Sequence, residues 1–157
     1  MPFTRTFQDL VSSCDNRFRA LPEATKMTAE EAIRQNALTA IGRFGSLSNL
    51  GSAFGYNRES VAWVEGFIEQ QRRRRDITEH EVTDLVQLIG SYLGECVRHT
   101  YAGVWRIYDG EWGVFFNDSN AAFPFNKVRK QFSNGIADGE SILSFFDVIG
   151  LAIIKKN

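Results

Sequence analysis

Apolar side chains recur at helical spacing over most of the first two thirds of the chain. Two Thr-x-x-Glu segments, Thr28–Glu31 and Thr78–Glu81, match a capping box, in which side chains accept hydrogen bonds from the backbone at a helix start. Behind the first box the pattern predicts a helix that ends at Gly45, because glycine suits a left-handed C-terminal cap. Its apolar positions are Ile33, Ala37, Ile41 and Phe44.

Behind the second box a wider apolar stripe predicts a long central helix that ends before Gly103. The apolar positions are Val82, Leu85, Val86, Ile89, Tyr92, Leu93, Cys96 and Val97. The polar positions on the opposite side are His80, Asp84, Gln87, Ser91 and Arg98. Asn57 can cap an intervening helix that closes with the cationic run Arg72–Arg75. A further short helix is predicted before Leu21–Pro22.

The period then changes from helical to alternating. Asp109-Gly110 lies between two aromatic and β-branched runs, which predicts a β-hairpin with a type I′ turn. A turn at Asn117–Asn120 and a short strand at Ala121–Phe123 follow. The last elements are a helix that starts near Pro124 and ends at Asn134-Gly135, and a terminal helix capped by Asp138.

This order predicts an α+β fold of N-terminal helices, a long central helix, a small antiparallel β-meander and C-terminal helices. The 157 residues are predicted to form a single domain, residues 1–157. A chain of this length buries roughly 70% of its unfolded surface, so it needs no metal or disulfide for stability.

Residues that support catalysis or metal binding are few. The pairs His80/Asp84 and Glu95/His99 have i, i+4 spacing but start about 22 Å apart on one helix, so one ion cannot contact both. Each pair is interpreted as a surface hydrogen bond. Cys14 and Cys96 form no zinc or redox motif, and Cys96 is expected to be a buried thiol. No catalytic residue, metal or cofactor is therefore predicted.

The chain carries no recognisable signal peptide and no apolar stretch long enough for a bilayer, so the expected location is the cytoplasm, away from membranes. The net charge of −1 and the core-like spacing of the aromatics argue against nucleic-acid binding. The basic clusters that could contact phosphates are Arg72–Arg75 and Lys127–Lys130.

Charge is nevertheless unevenly distributed. Residues 76–126 contain two basic and eight acidic residues, a net charge of −6. Such a segment could attract a basic partner, or could simply be a solvated acidic face. The residues predicted to bind a partner are Asp84, Tyr108, Asp109, Glu111 and Asp118.

Four segments resemble a group of small bacterial proteins. That group pairs a Tyr-Leu-Gly-Glu helix with a Gly-x-Trp strand, a Phe-Pro-Phe/Lys-Val turn and a terminal Asp-Ser-Ile/Leu helix. The matching segments here are Ser91–Arg98, Trp105, Phe123–Gly135 and Ser141–Phe145. Some proteins of this size and kind are similar to immunity proteins encoded beside bacterial toxins, and the resemblance implies no catalytic residues.

Three hypotheses follow. The first is a non-catalytic protein-binding module, most concretely an immunity-type protein that occludes a basic toxin or effector domain acting in the cytoplasm. The second is a small enzyme with a carboxylate-based site, such as Glu95 supported by Tyr92 or Arg98, which requires a raised pKa in a closed pocket. The third is an oligomerising scaffold subunit. The sequence leaves the oligomeric state open.

Overall fold

The computed structural model describes residues 27–156, with side-chain surroundings described as far as Ile153. Within this range lie five α-helices and one three-stranded antiparallel sheet, which confirms the predicted α+β class. The helices are α1 (Ala29–Leu47), α2 (Arg58–Arg72), α3 (Glu79–Tyr101), α4 (Pro124–Asn134) and α5 (Ile142–Lys156). The strands are β1 (Val104–Tyr108), β2 (Glu111–Phe115) and β3 (Ala121–Ala122). The helix predicted before Pro22 and the thiol of Cys14 lie outside the described residues.

The helix starts follow the capping signals in the sequence. Thr28 and Thr78 each form a reciprocal capping box, with Glu31 and Glu81 respectively, and Asn57 accepts a hydrogen bond from the Ser60 backbone. Side chains of these types satisfy backbone N–H groups that have no partner within the helix. The predictions for all three starts are therefore confirmed.

Two predicted boundaries are wrong. α1 continues through Gly45 to Leu47 and is capped by Ser48, whose backbone N–H donates to the Phe44 carbonyl. Asp138 does not cap the last helix, since it lies in a 3₁₀ turn at Ile136–Asp138. The hydroxyl of Ser141 accepts from the Ser144 backbone instead, at 3.0 Å.

The core is built around α3, which packs against α1, α4, α5 and β2. Every residue from Leu85 to Val97 except Gln87 is buried, so α3 is enclosed on nearly all sides. The prediction that Ser91 lies on a polar side is therefore wrong. Its hydroxyl donates to the carbonyl of Gln87 at 2.6 Å, which satisfies a buried polar group within the helix.

The sheet lies beside α3 and α4 in the order β1-β2-β3. The β1–β2 register pairs Val104 with Phe115 and Tyr108 with Glu111. Trp105 points toward α3, where Gly94 leaves room for its indole ring. The hairpin is thereby attached to the helices by one face and presents the other face outward.

Candidate functional site

The hairpin turn at Asp109-Gly110 is exposed. Asp109 and Gly110 have φ values of 52° and 79°, the positive angles that a type I′ turn requires at both central positions. The register places Tyr108 opposite Glu111 at the end of the ladder. Tyr108 is 66% exposed, and Asp109 and Glu111 are exposed as well. Three of the five predicted binding residues therefore meet at one tip.

Beyond the turn, the sheet presents an aromatic surface that we call the outer sheet face. In an antiparallel pair, residues that are two positions apart along a strand share a face of the sheet, and so do residues that are directly opposite each other on the two strands. The outer sheet face consists of Val104, Arg106, Tyr108, Glu111, Phe115 and Phe123. The Phe115 ring lies 6.4 Å from that of Tyr108 and 6.2 Å from that of Phe123, centroid to centroid.

Arg106 connects this face to a fourth predicted binding residue. Its guanidinium lies 5.5 Å from the Phe115 ring centroid and contacts the Asp118 carboxylate at 3.1 Å. Asp118 therefore belongs to the same surface. Arg106, Phe115 and Phe123 were not predicted from the sequence to bind a partner. Strict alternation along the second strand does, however, place the side chain of Phe115 on the other face of the sheet from Trp112 and Val114.

Asp84 differs from the other four residues. Its side chain is only 14% exposed, and its carboxylate contacts the His80 imidazole at 3.3 Å. It lies one helical turn before Gln87, which borders a groove at the hairpin. Asp84 thus supplies little accessible charge, and a reversed charge there would place a cation in a largely enclosed position.

The groove beside the hairpin has a volume of about 230 Å³. Glu111 and Trp112 form one wall, and Phe125 and Arg129 of α4 form another. A larger cleft of about 420 Å³ lies between the C-terminal ends of α3 and α5 and the β2–β3 connection. Among the described residues that line the groove, Glu111 and Arg129 are the ionisable ones.

Glu95, the carboxylate of the enzyme hypothesis, lies on the opposite side of β1 from the outer sheet face. Only 2% of Glu95 is exposed. It accepts hydrogen bonds from Arg98 Nε at 2.7 Å and Arg98 Nη2 at 3.1 Å, and from Trp105 Nε1 at 2.9 Å. The interpretation of Glu95/His99 as a surface pair is wrong, because Glu95 is buried with its charge compensated by Arg98.

The electrostatics of Glu95 do not suit a general acid. Burial by itself would raise its pKa, but the hydrogen bonds from Arg98 and Trp105 and the nearby positive charge outweigh that effect and lower the pKa. Glu95 lines neither the groove beside the hairpin nor the larger cleft. A carboxylate held ionised and enclosed in this way stabilises the packing of β1 on α3.

Tyr92 and Cys96 next to Glu95 have structural roles. The Tyr92 hydroxyl donates to the Gly55 carbonyl at 2.7 Å, and burial raises the pKa of this phenol. Burial also raises the pKa of the Cys96 thiol to about 12, which keeps it protonated and unreactive near neutral pH. This confirms the prediction that Cys96 is a buried thiol.

The basic run at the end of α2 is partly occupied by internal contacts. Arg72 Nε donates to the Phe132 carbonyl at 2.9 Å, which ties α2 to α4. Arg74 contacts the carboxylates of Asp76 at 3.2 Å and Glu81 at 3.5 Å. Two of the four arginines are thus engaged within the protein. The contacts of Arg74 also neutralise part of the negative charge in the segment that begins at residue 76.

Over residues 27–156, no three His, Cys, Asp or Glu side chains are grouped so that they could hold a metal ion. None of the helices in the same range combines the length and apolar character required to cross a bilayer. Comparison with protein-family models, curated proteins and solved structures gave no match. The functional assignment therefore depends on the geometry of this chain.

Proposed function

We propose that this protein is a non-catalytic protein-binding module whose binding surface is the outer sheet face together with the acidic hairpin turn. One observation carries the proposal: the exposed ring of Tyr108, at 66% exposure, and the half-buried rings of Phe115 and Phe123 are bordered by the carboxylates of Asp109, Glu111 and Asp118. Tyr and Arg are enriched among the residues that dominate binding energy at protein interfaces.

The charge pattern favours a partner with a basic surface. Carboxylates at the rim speed the encounter with a cationic protein, while aromatic side chains inside the rim are desolvated on docking. The resemblance to immunity proteins gives this proposal its specific form, in which the partner is a toxin or effector domain acting in the cytoplasm. The protein would then inhibit it by covering a basic active-site cleft.

The test is the binding of the full chain to the purified product of the adjacent gene, measured by stopped-flow kinetics at several salt concentrations. The variant Asp109→Lys/Glu111→Lys should slow association by about tenfold at low salt, since rim charges act mainly on the association rate. High salt should reduce the difference because it screens exposed charges. Asp84 is left unchanged because its side chain is mostly enclosed.

A matched control is Glu59→Lys/Asp138→Lys, which changes the net charge equally at two exposed acids on other elements. This control should retain the association rate within about twofold. Equal slowing by both double variants would show that net charge alone is responsible, and the assignment to the hairpin would then be wrong.

A further inference from the structure

β1 is an edge strand, and the backbone along one of its two edges has no strand partner. It has β2 as a neighbour on one side, and no strand in the described part of the chain pairs with it on the other. Val104 is 55% exposed, Ile107 is 59% exposed and Tyr108 is 66% exposed, whereas Trp105 is 4% exposed because its indole packs on α3. Natural edge strands are commonly protected by proline, lysine, a bulge or a covering element. β1 has five residues, neither proline nor lysine, and Arg106 is its one charged side chain.

The hairpin register determines which backbone groups face that open side. In a two-residue turn the flanking residues, Tyr108 and Glu111, exchange backbone hydrogen bonds, and pairs then alternate along the ladder. Val104, Arg106 and Tyr108 thus direct their N–H and C=O groups toward β2. Trp105 and Ile107 direct theirs away from β2, where they can pair with another strand.

Apolar side chains lie beside these backbone groups on both faces of the sheet, and Arg106 lies between two of them on the outer sheet face. Val104 and Tyr108 project on the outer sheet face, and the exposed Ile107 projects on the face that carries Trp105. A strand added at this edge would therefore find apolar contacts for alternate side chains on each face. Main-chain hydrogen bonds supply affinity in this mode of recognition, and the side-chain contacts supply specificity.

We propose that β1 binds an extended segment of a partner protein as a fourth strand, through the backbone N–H and C=O groups of Trp105 and Ile107. This inference rests on the proposed function and specifies its mode. The segment is apolar at alternate positions and carries Lys or Arg at the end that meets the turn. Asp109 and Glu111 form no ion pair within the described residues, whereas the charge of Arg106 is compensated by Asp118.

A second copy of this chain fits the edge less well than a basic partner. The antiparallel two-fold register that pairs Trp105 with Ile107 of the other copy is centred on Arg106. It would place two guanidinium groups directly opposite each other on one face, and directly opposed like charges destabilise a strand pair. The carboxylates of Asp109 and Glu111, which form no ion pair within the described residues, favour a different, basic chain as the occupant.

The direct test uses the full chain and synthetic peptides of about ten residues with alternating Val and Thr, a common strand pattern. One peptide carries Lys-Lys at both ends, so that lysine meets the turn in either strand direction, and its control carries Glu-Glu at both ends. NMR hydrogen exchange should show protection of the Trp105 and Ile107 amides by the Lys-terminated peptide, with much weaker protection by the Glu-terminated one. A Lys-terminated peptide N-methylated at alternate residues should not protect them. Absence of protection by the unmethylated peptide at millimolar concentration would overturn strand addition.

A backbone variant provides an independent readout. Ile107→Pro removes the outward N–H, and proline is tolerated where an edge N–H faces solvent. Ile107→Thr is the matched control, because it alters the side chain but keeps the N–H. Peptide affinity should fall by about tenfold or more for Ile107→Pro and by less than about threefold for Ile107→Thr. Equal losses of peptide affinity in the two variants would contradict binding through the backbone N–H. If Ile107→Pro does not fold, the N-methylated peptide tests strand addition instead.

Failure of this inference can be told apart from failure of the proposed function. If the adjacent gene product loses affinity for Asp109→Lys/Glu111→Lys but binds Ile107→Pro normally, the hairpin surface is correct and strand addition is wrong. If neither variant affects that binding, both proposals fail. Analytical ultracentrifugation should show a monomer, and a dimer whose Trp105 and Ile107 amides are protected without peptide would identify a second copy as the occupant and overturn the inference.

Discussion

The carboxylate of Glu95 contacts two different donor side chains in a space almost closed to water. Arg98 approaches it with two nitrogens and Trp105 with its indole N–H. Breaking a buried ion pair by removing one partner is costly because the other charge stays desolvated. At the scale of single residues, the hydrogen bond from Trp105 to Glu95 links β1 to α3.

The variant Glu95→Gln should lower the free energy of unfolding by about 2 kcal/mol at pH 7, because it removes the counter-ion of the Arg98 guanidinium, whose side chain is 25% exposed and keeps part of its hydration. The folded-state pKa of Glu95 lies below the ordinary value of 4.5, so its ionisation stabilises the fold above that pH. The stabilisation is lost as pH falls through the lowered pKa. The difference between wild type and variant should therefore shrink below about pH 4.5 in urea unfolding.

The matched control is Glu59→Gln, which removes an exposed carboxylate and should change the unfolding free energy by less than about 0.5 kcal/mol at either pH. A difference for Glu95→Gln that stays constant from pH 7 to pH 3 would contradict a lowered pKa in the folded state.

The packing of β1 and α4 on α3 depends on glycines at the scale of whole elements. A Cβ on Gly94 would overlap the Trp105 indole and lie 3.0 Å from Pro124 Cγ, and a Cβ on Gly90 would meet the Phe125 ring. The residues that carry the resemblance to small bacterial proteins include Gly94, Glu95 and Trp105. In this structure they form a packing unit between helix and hairpin.

The substitution Gly94→Ala should destabilise the protein by about 2 kcal/mol or more, since the rigid indole has to move. Gly66→Ala on α2 is its matched control, because apart from its chain neighbours and the adjacent backbone of α2 no atom lies within 4 Å of the added methyl group. That change should stabilise the protein by about 0.5 to 1 kcal/mol, as alanine favours a helix over glycine. Thermal unfolding of both variants checks the pair, and destabilisation by both would show that backbone freedom rather than the indole contact matters.

A buried polar network holds three helices together at the scale of the molecule. Gln131 of α4 donates to the Glu65 carbonyl at 3.3 Å and to Glu69 at 3.0 Å, and accepts from the Ile142 backbone at 3.0 Å. Ser141 donates to Glu65 at 2.5 Å and caps α5. Every hydrogen bond in this network restricts how α2, α4 and α5 pack, because an unsatisfied buried group would be costly.

Ser141→Ala should lower the free energy of unfolding by about 2 kcal/mol, since it removes a helix cap and the donor to a buried carboxylate. Ser144→Ala is the control, because Ser144 is exposed and contributes only its backbone N–H to the cap. That variant should be within about 0.5 kcal/mol of wild type in denaturant unfolding. Similar losses for the two variants would refute the special role of Ser141.

Part of the candidate site could be predicted from the local sequence pattern. Asp109-Gly110 determines its own turn, and the neighbouring Tyr108 and Glu111 follow from the register that the turn imposes. Sequence spacing did not reveal that Asp118 joins the outer sheet face, since that depends on Arg106 reaching over the Phe115 ring. Nor did it reveal that Asp84 is mostly enclosed.

The sequence by itself determined the elements whose signals are local. Capping boxes at Thr28 and Thr78, the Asn57 cap and the positive-φ turn at Asp109-Gly110 need only neighbouring residues to act. Only the tertiary structure decided the burial and the hydrogen-bond partners of polar side chains whose partners lie far away in the sequence. Whether Glu95 is buried or Ser141 caps a helix depends on which donors and acceptors the packing brings within about 3 Å, and hydrogen bonds act only over that short range.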